Sequence, residues 1–163
     1  MAGEIFKVSR DKIGHFMNVS TTSTASYKRI NMGVSGLSID YNPETSESHY
    51  IGEKTGTTDI TGYKPSSAVD MECIKGDEVY DFVNNIRRNR YVLSDCYTDI
   101  INVDLYDGDD TNGYWAEKQP VSITINSYGG DQPDPPKINY TINYRGDAVI
   151  GTYKPSTDTF TPN

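Results

Sequence analysis

One run of carboxylate and amide side chains has the composition of a cation-binding loop. Residues 107–113 read DGDDTNG, and calcium loops of the EF-hand type need Gly at the sixth position and Glu at the twelfth. Counted from Asp107, these positions hold Asn112 and Lys118, so the EF-hand pattern fails. The Asn112-Gly113 pair instead predicts a hairpin turn, because Asn and Gly accept positive φ at both central positions. A weak, irregular cation site at this turn is the alternative.

The other side chains that could do chemistry do not form a recognisable catalytic set. His15 and His49 are the only histidines, and they are too far apart for an HExxH-like metal site. The sequence contains no glycine-rich phosphate loop and no G-x-S-x-G elbow. With 23 acidic residues, some carboxylates must pair, and spacing alone singles out no pair for glycoside hydrolysis. The sequence therefore predicts a protein that is not an enzyme and has no cofactor or metal site.

Length and charge narrow the function classes further. A chain of 163 residues is expected to form a single domain over residues 1–163. The net charge of -8 argues against tight nucleic-acid binding, because phosphate contacts need clustered Lys and Arg. The sequence starts MAGEIFK without an apolar signal segment and has no stretch of transmembrane length. We therefore expect synthesis in the cytoplasm, no membrane insertion, and reduced thiols at Cys73 and Cys96, although a bridge between these two residues is conceivable.

Alternation of apolar and polar residues predicts most of the strands. Residues 121–126 and 138–144 alternate without a break, and residues 68–74 and 97–106 also have strand patterns. Between the last two segments, Asp77 is predicted to cap a helix that extends to about residue 89. Its apolar residues share one helical stripe: Val79, Phe82, Val83 and Ile86. The pattern predicts a mainly β fold, an antiparallel β-sandwich or barrel with one packed α-helix.

The first third of the chain has weaker core signals. Residues 1–26 are predicted to form an N-terminal arm, and residues 27–42 a long strand with a bulge or bend beside Gly36. Residues 43–65 are polar over a length that is unusual for a loop in a compact domain. They are interpreted as an extended hairpin arm, with residues 50–54 in its returning limb.

The last third of the chain resembles the major tail tube proteins of long-tailed, siphovirus-type bacteriophages. The resemblance is carried by GYWAEKQPV at residues 113–121, by INSYGGD from Ile125, and by the closing GDAVIGTY and TFTP segments. In the middle of the chain only the order of elements is similar, and residues 1–26 match only in character. The resemblance implies a β-sandwich of the tail-tube fold that assembles into hexameric rings. In the family these rings stack into a hollow tube that carries DNA, and the inner sheets of neighbouring subunits join into one barrel.

The resemblance also implies a location and a set of partners. The chain would be a structural protein of the virion tail that contacts copies of itself, the tape measure protein, the tail terminator and the distal tail protein. An acidic inner wall would repel passing DNA phosphates. Asp70 and Glu72 lie opposite the apolar parity of their strand, and the full set of lumen candidates is Asp70, Glu72, Asp40, Glu53 and Asp59. The candidates for contacts made by the two arms are Tyr50, Ile51, Ile60, Tyr63, Ile5 and Phe6.

Two other function classes fit the same residues. One is the tube protein of a contractile tail or of a type VI secretion-like system, which would use the same barrel with different partners. The other is a β-sandwich carbohydrate-binding or adhesin module. That module would need exposed aromatic residues around one concave site, and Trp115, Tyr114 and Tyr128 are the candidates.

Overall fold

The computed structural model describes residues 3–163, and in this range the chain forms ten strands, one α-helix and two short 3-10 turns. The strands are β1 (Ile13–Asn18), β2 (Tyr27–Arg29), β3 (Pro43–Ser48), β4 (Thr57–Tyr63), β5 (Ser66–Glu72), β6 (Tyr97–Asp109), β7 (Gly113–Gly129), β8 (Lys137–Tyr144), β9 (Val149–Lys154) and β10 (Thr159–Pro162). The helix α1 is Glu78–Asn89, and the 3-10 turns are Arg10–Lys12 and Leu93–Cys96.

Strand β7 is the element on which the main sheet is built. Its 17 residues pair with β6 along one edge, and with β9 and then β8 along the other edge. β8 also pairs with β5, β9 pairs with β10, and β6 continues through β1 to β2. Every pairing is antiparallel. This arrangement confirms the predicted mainly antiparallel β fold with one packed helix.

The central strands of the sheet are buried on both faces. Successive residues of a strand point to opposite faces, so Met17 of β1 and Ile100 of β6 join the larger apolar core under helix α1. Their neighbours Phe16 and Ile101 join a second cluster on the other face, together with Tyr153. Burial on both faces explains why residues 100–103 of β6 form a continuous buried run instead of an alternating one.

Helix α1 has the predicted boundaries. The side chain of Asp77 accepts a hydrogen bond from the Tyr80 backbone N–H at 3.1 Å, which satisfies one of the free donors of the first turn. Arg87 lies in the last turn, where its charge complements the helix dipole. The predicted apolar stripe is buried except at Phe82, which is only partly buried, while Tyr80 is buried.

The structure corrects two expectations for the first third of the chain. Residues 13–18, predicted to belong to an N-terminal arm, form β1, because Phe16 and Met17 fill both clusters. Only residues 3–9 of the proposed arm precede the first regular turn, and residues 1–2 lie outside the described part. The predicted long strand over residues 27–42 is also wrong. β2 ends at Arg29, and residues 30–42 pair with β5 only through isolated bridges at Val34 and Asp40.

Strands β3 and β4 form a separate two-stranded sheet that projects as a hairpin arm, residues 43–63. The arm contributes no residue to either core cluster. Its base is held by an ion pair between Lys64 and Glu44 at 2.6 Å and by an edge-to-face contact of Tyr41 with Tyr63. Residues 50–54, expected in the returning limb, belong to the tip, and the returning strand starts only at Thr57.

A buried polar chain crosses the inner strands. Nδ1 of His15 donates to Oδ1 of Asn102 at 2.7 Å, and Nδ2 of Asn102 lies 3.2 Å from the Tyr144 hydroxyl, to which it donates. Arg10 Nη2 lies 3.2 Å from Nε2 of His15, an arrangement that requires a neutral imidazole. Burial lowers the pKa of His15 from its ordinary value of 6.5. The hydrogen bond to Asn102 raises this pKa and the charge of Arg10 lowers it, and the net shift is downward.

The two cysteines are not joined. Cys73 and Cys96 are both free thiols, and the Cys96 thiol donates to the carbonyl oxygen of Tyr91 at 3.0 Å. The expectation of reduced cysteines agrees with this geometry.

The helix stripe makes a stability prediction. Ile86 is 3% exposed, so Ile86→Ala should lower the free energy of unfolding by about 2–5 kcal/mol through lost burial and a residual cavity. Phe82→Ala should cost less than Ile86→Ala, although it removes a larger side chain, because Phe82 is only partly buried. Urea unfolding of both variants measures the order, and the reverse order would contradict the described helix orientation.

The buried histidine makes a pH prediction. The unfolded chain takes up a proton at His15 as the pH falls through 6.5, whereas the folded chain does so only at lower pH, so the free energy of unfolding should fall below pH 6.5. His15→Gln removes the titrating group and should flatten this dependence between pH 7 and pH 5. Urea unfolding across that range tests the prediction, and equal slopes for the two proteins would refute it.

Candidate functional site

Strands β5, β8 and β7 form a sheet with one apolar face and one polar face. Val69, Met71, Tyr140 and Ile142 point from this sheet into the larger core. The opposite face carries the alternate residues, which the pairing register places side by side. Its polar members are Ser66, Asp70, Glu72, Lys137, Asn139, Thr141, Asn143, Ser122, Thr124, Asn126 and Ser127. We call these residues the polar face.

Four uncharged side chains of the polar face bond to one another in two pairs. Nδ2 of Asn126 donates to the Thr141 hydroxyl oxygen at 2.8 Å, and Nδ2 of Asn143 donates to that of Thr124 at 2.8 Å. Both bonds cross between β7 and β8. These bonds join the two strands, while the accepting hydroxyl groups keep their own O–H groups.

The charge of this face is weaker than predicted. Asp70 and Glu72 lie on it as expected, but Lys137 forms an ion pair with Asp70 at 3.4 Å across β5 and β8. The pair is solvent-exposed, so its contribution to stability is small. The prediction missed Lys137, although its parity with Asn139, Thr141 and Asn143 places it on the same face.

The other three lumen candidates divide between this face and the hairpin arm. Asp40 is exposed and pairs with Ser66 through two backbone hydrogen bonds, so its side chain lies on the same face at the outer edge of β5. Glu53 lies at the tip of the hairpin arm, and Asp59 lies in β4. The structure therefore places Asp40, Asp70 and Glu72 on one face and does not bring Glu53 or Asp59 to it.

The sheet that carries the polar face has unpaired backbone at both sides. Along β5, Asp40 exchanges two backbone hydrogen bonds with Ser66, and Glu72 donates to Gly33. Between these points no described strand pairs with the outer edge of β5. At the opposite side, β7 beyond Ser122 pairs only with β8 within the described residues. Free edges of this kind are ready to pair with another chain.

The arms expose the apolar residues that the sequence singled out. Ile51 at the hairpin tip is fully exposed, and Ile5 is 99% exposed. The remaining candidates, each more than half exposed, are Tyr50, Ile60, Tyr63 and Phe6. Large apolar side chains in such numbers on projecting segments are typical of surfaces that become covered by a partner.

The three aromatic residues of the carbohydrate-binding alternative do not form one site. Tyr114 and Trp115 are neighbours on β7 and point to opposite faces of the sheet. Tyr128 lies 13 residues beyond Trp115 on the same strand, which corresponds to roughly 40 Å of extended chain. The expected concave aromatic site is absent from this part of the described structure.

Residues 107–113 contain a hairpin turn at residues 110–112, which joins β6 to β7. Asp109 accepts hydrogen bonds from the backbone N–H groups of Thr111 and Asn112 at 2.9 and 2.6 Å. These bonds and that of the Asn112 side chain lower the pKa of Asp109. The predicted turn is confirmed, but its backbone geometry differs from the prediction. Gly113 has a positive φ of 93° as expected, whereas Asn112 does not have a positive φ.

Two further kinds of feature are absent from residues 3–163. No cluster of three or more His, Cys, Asp or Glu residues in this range has metal-binding geometry. No helix in the same range is long and apolar enough to cross a membrane.

Comparisons with known proteins identify the fold. No family model matches the sequence, and no curated protein matches it. A chain from the tail of an empty gene transfer agent particle, determined with C6 symmetry, has a TM-score of 0.63 at 15% identity, covering 95% of this chain and 99% of that chain. A chain from the virion of a native gene transfer agent gives 0.61 at 13% identity, covering 88% and 98%.

A third similar structure comes from the six-fold symmetrised baseplate of the anti-feeding prophage, with a TM-score of 0.50 at 11% identity, covering 91% of this chain and 97% of that chain. At these identities the similarity establishes a shared fold. This chain thus shares its fold, over nearly its whole length, with chains from virion and tail particles.

Proposed function

We propose that this chain is a tail tube subunit, six copies of which form a ring, and that the rings stack into a hollow tube in a virion tail. The observation that carries the proposal is the nearly complete reciprocal fold match to a chain from a C6-symmetric tail. The match covers 95% of this chain and 99% of the other, so we expect the whole chain to take part in assembly.

The open sheet edges support ring formation. The polar-face sheet ends on one side at the partly bridged edge of β5 and on the other at the free part of β7. Joining the β7 side of one subunit to the β5 side of the next would pair the backbone groups that each leaves unpaired. Six such joints would close the ring as a barrel, with the polar face turned inward.

The polar face supports a role as the wall of a DNA channel. Two of its amide groups bond to hydroxyl groups across the strands, and its carboxylates outnumber its single lysine. Such a wall would present a weakly repulsive charge to passing phosphates. DNA would therefore pass during ejection without strong binding. The tape measure protein, the tail terminator and the distal tail protein are the further partners of this proposal.

Assembly of the purified protein tests the proposal directly. We expect rings and tubes with six-fold symmetry in negative-stain images as concentration rises, and a matching increase of mass in mass photometry. A compact monomer at every concentration, or specific binding to a glycan array, would contradict the tail tube role.

The hairpin arm gives a prediction about assembly. Removing residues 45–61 leaves the base of the arm, including the ion pair of Lys64 with Glu44, and takes no residue from either core cluster. The variant should unfold within about 1 kcal/mol of wild type and should not form tubes. Normal tubes from this variant, seen in the same images, would show that the arm is dispensable.

The polar face gives a prediction about DNA. The double substitution Asp70→Lys and Glu72→Lys should leave the core intact, because the core-facing residues of β5, Val69 and Met71, are unchanged. Together with Lys137 it would create a row of lysines that binds phosphate and releases counterions. Mutant tubes should retain DNA at low salt and lose it as salt rises, whereas wild-type tubes should retain little.

The matched control is Asp81→Lys with Asp107→Lys, which reverses two exposed charges outside the polar face. It should retain no more DNA than wild type. Equal DNA retention by both double variants would show that the polar face does not line the channel.

A further inference from the structure

A groove lies between the end of helix α1 and the free edge of β7. It has a volume of about 740 Å³, and its walls include Ile86 and Arg90 from the helix end and Ile123, Ile125 and Tyr128 from β7. Beyond Ser122, no strand within residues 3–163 fills this side of β7. In the isolated subunit the groove is therefore open behind the edge of β7 that the proposed ring joint would use.

Several exposed apolar residues lie at the mouth of the groove. Tyr91, Val92 and Leu93 follow the helix and are exposed, with Leu93 at 79%. Leu93 adopts a φ of 53°, a left-handed conformation that is uncommon for a branched apolar residue. Tyr97 and Tyr128 add two further exposed rings. Exposed apolar side chains that gather at one groove favour a contact that the isolated subunit does not make.

Three arginines lie at this apolar mouth or stack on its aromatic rings. The guanidinium of Arg87 lies 3.7 Å from the ring centre of Tyr128, and that of Arg145 lies 3.5 Å from the ring centre of Tyr97. Arg90 also lines the groove. In the part of the chain that the structure describes, each ion pair is made by a lysine, so these three guanidinium groups have no carboxylate partner there.

The hairpin arm has the complementary properties. Between residues 43 and 63 it carries four carboxylates and one lysine. Glu47 and Asp59 are exposed and take part in none of the described ion pairs. Tyr50 and Ile51 at the tip are exposed apolar groups without a place in the core. No residue of the arm lines the groove of its own chain.

We propose that the groove receives the hairpin arm of a second copy of this chain, an inference that rests on the proposed tube assembly. Exposed apolar residues of the tip would cover Val92 and Leu93, and the carboxylates of the arm would approach the arginines at the mouth. The N-terminal segment, residues 3–9, is a poorer occupant, because it carries one carboxylate and one lysine and offers no excess of negative charge.

A charge exchange tests this docking. Glu47→Lys with Asp59→Lys on the arm, or Arg90→Glu with Arg145→Glu at the groove, should each raise the concentration needed for tube formation about tenfold or more at low salt, because like charges would then meet. Combining all four substitutions should restore assembly to within about threefold of wild type. The defects of the double variants should shrink in high salt.

The matched control is Lys75→Glu with Arg88→Glu, which makes the same change of charge at exposed positions that do not line the groove. It should assemble as wild type does. The docking would be overturned if the arm double variant and the groove double variant both assembled normally. It would also be overturned if the quadruple variant assembled no better than either double variant. Failure of the wild type to assemble would instead count against the tube proposal itself.

A photo-cross-linking amino acid at Ile51 locates the arm directly in assembled tubes. We expect cross-links between two copies to map to residues 86–97 or 122–128. Cross-links confined to other peptides would overturn the assignment of the groove, even where the charge variants assemble poorly.

Discussion

The fold depends on the backbone hydrogen bonds of one long strand. β7 pairs with β6 on one edge, and with β9 and β8 in succession on the other. Its 17 residues must therefore remain extended while their surroundings change from a doubly covered sheet to a sheet with one free face. The register shift between Ile125 and Ser127 lies in the second region, where a bulge changes the local twist without disturbing the central strands.

This single strand separates the surfaces that the proposed function uses. Near Ala116, β7 is enclosed by neighbours on both edges and is buried in the second cluster. Past Ser122, one face packs on the core under helix α1, the other face is polar, and one edge is free. β6 begins opposite Ser122, so β7 beyond that residue has no partner on this edge. The free edge used in the proposed ring joint and the groove behind it both follow from this starting point.

Charge is distributed unevenly over this acidic chain. The polar face holds few charges and partly compensates them through Lys137 and Asp70, whereas the arm has an excess of carboxylates and the groove an excess of arginine. In water such surface charges contribute little to the stability of one subunit. Their effect is larger between copies, where complementary potentials select the partner surface and speed association.

The sequence by itself determined the elements whose residues alternate or repeat over a sufficient length. Helix α1, the apolar parity of β5 at Val69 and Met71, and the alternation in β8 could be predicted because one face of each is buried and the other is not. The sheet face that carries Asp70 and Glu72 followed from the same periodicity. Tertiary structure decided the rest. Residues 13–18 form β1 because both of their faces are buried, with Met17 in one core cluster and Phe16 in the other, so they show no alternation. Lys137 meets Asp70, and Arg87 meets Tyr128, only through strand register and helix placement. These contacts join residues distant in sequence, and local propensity carries no information about such pairings.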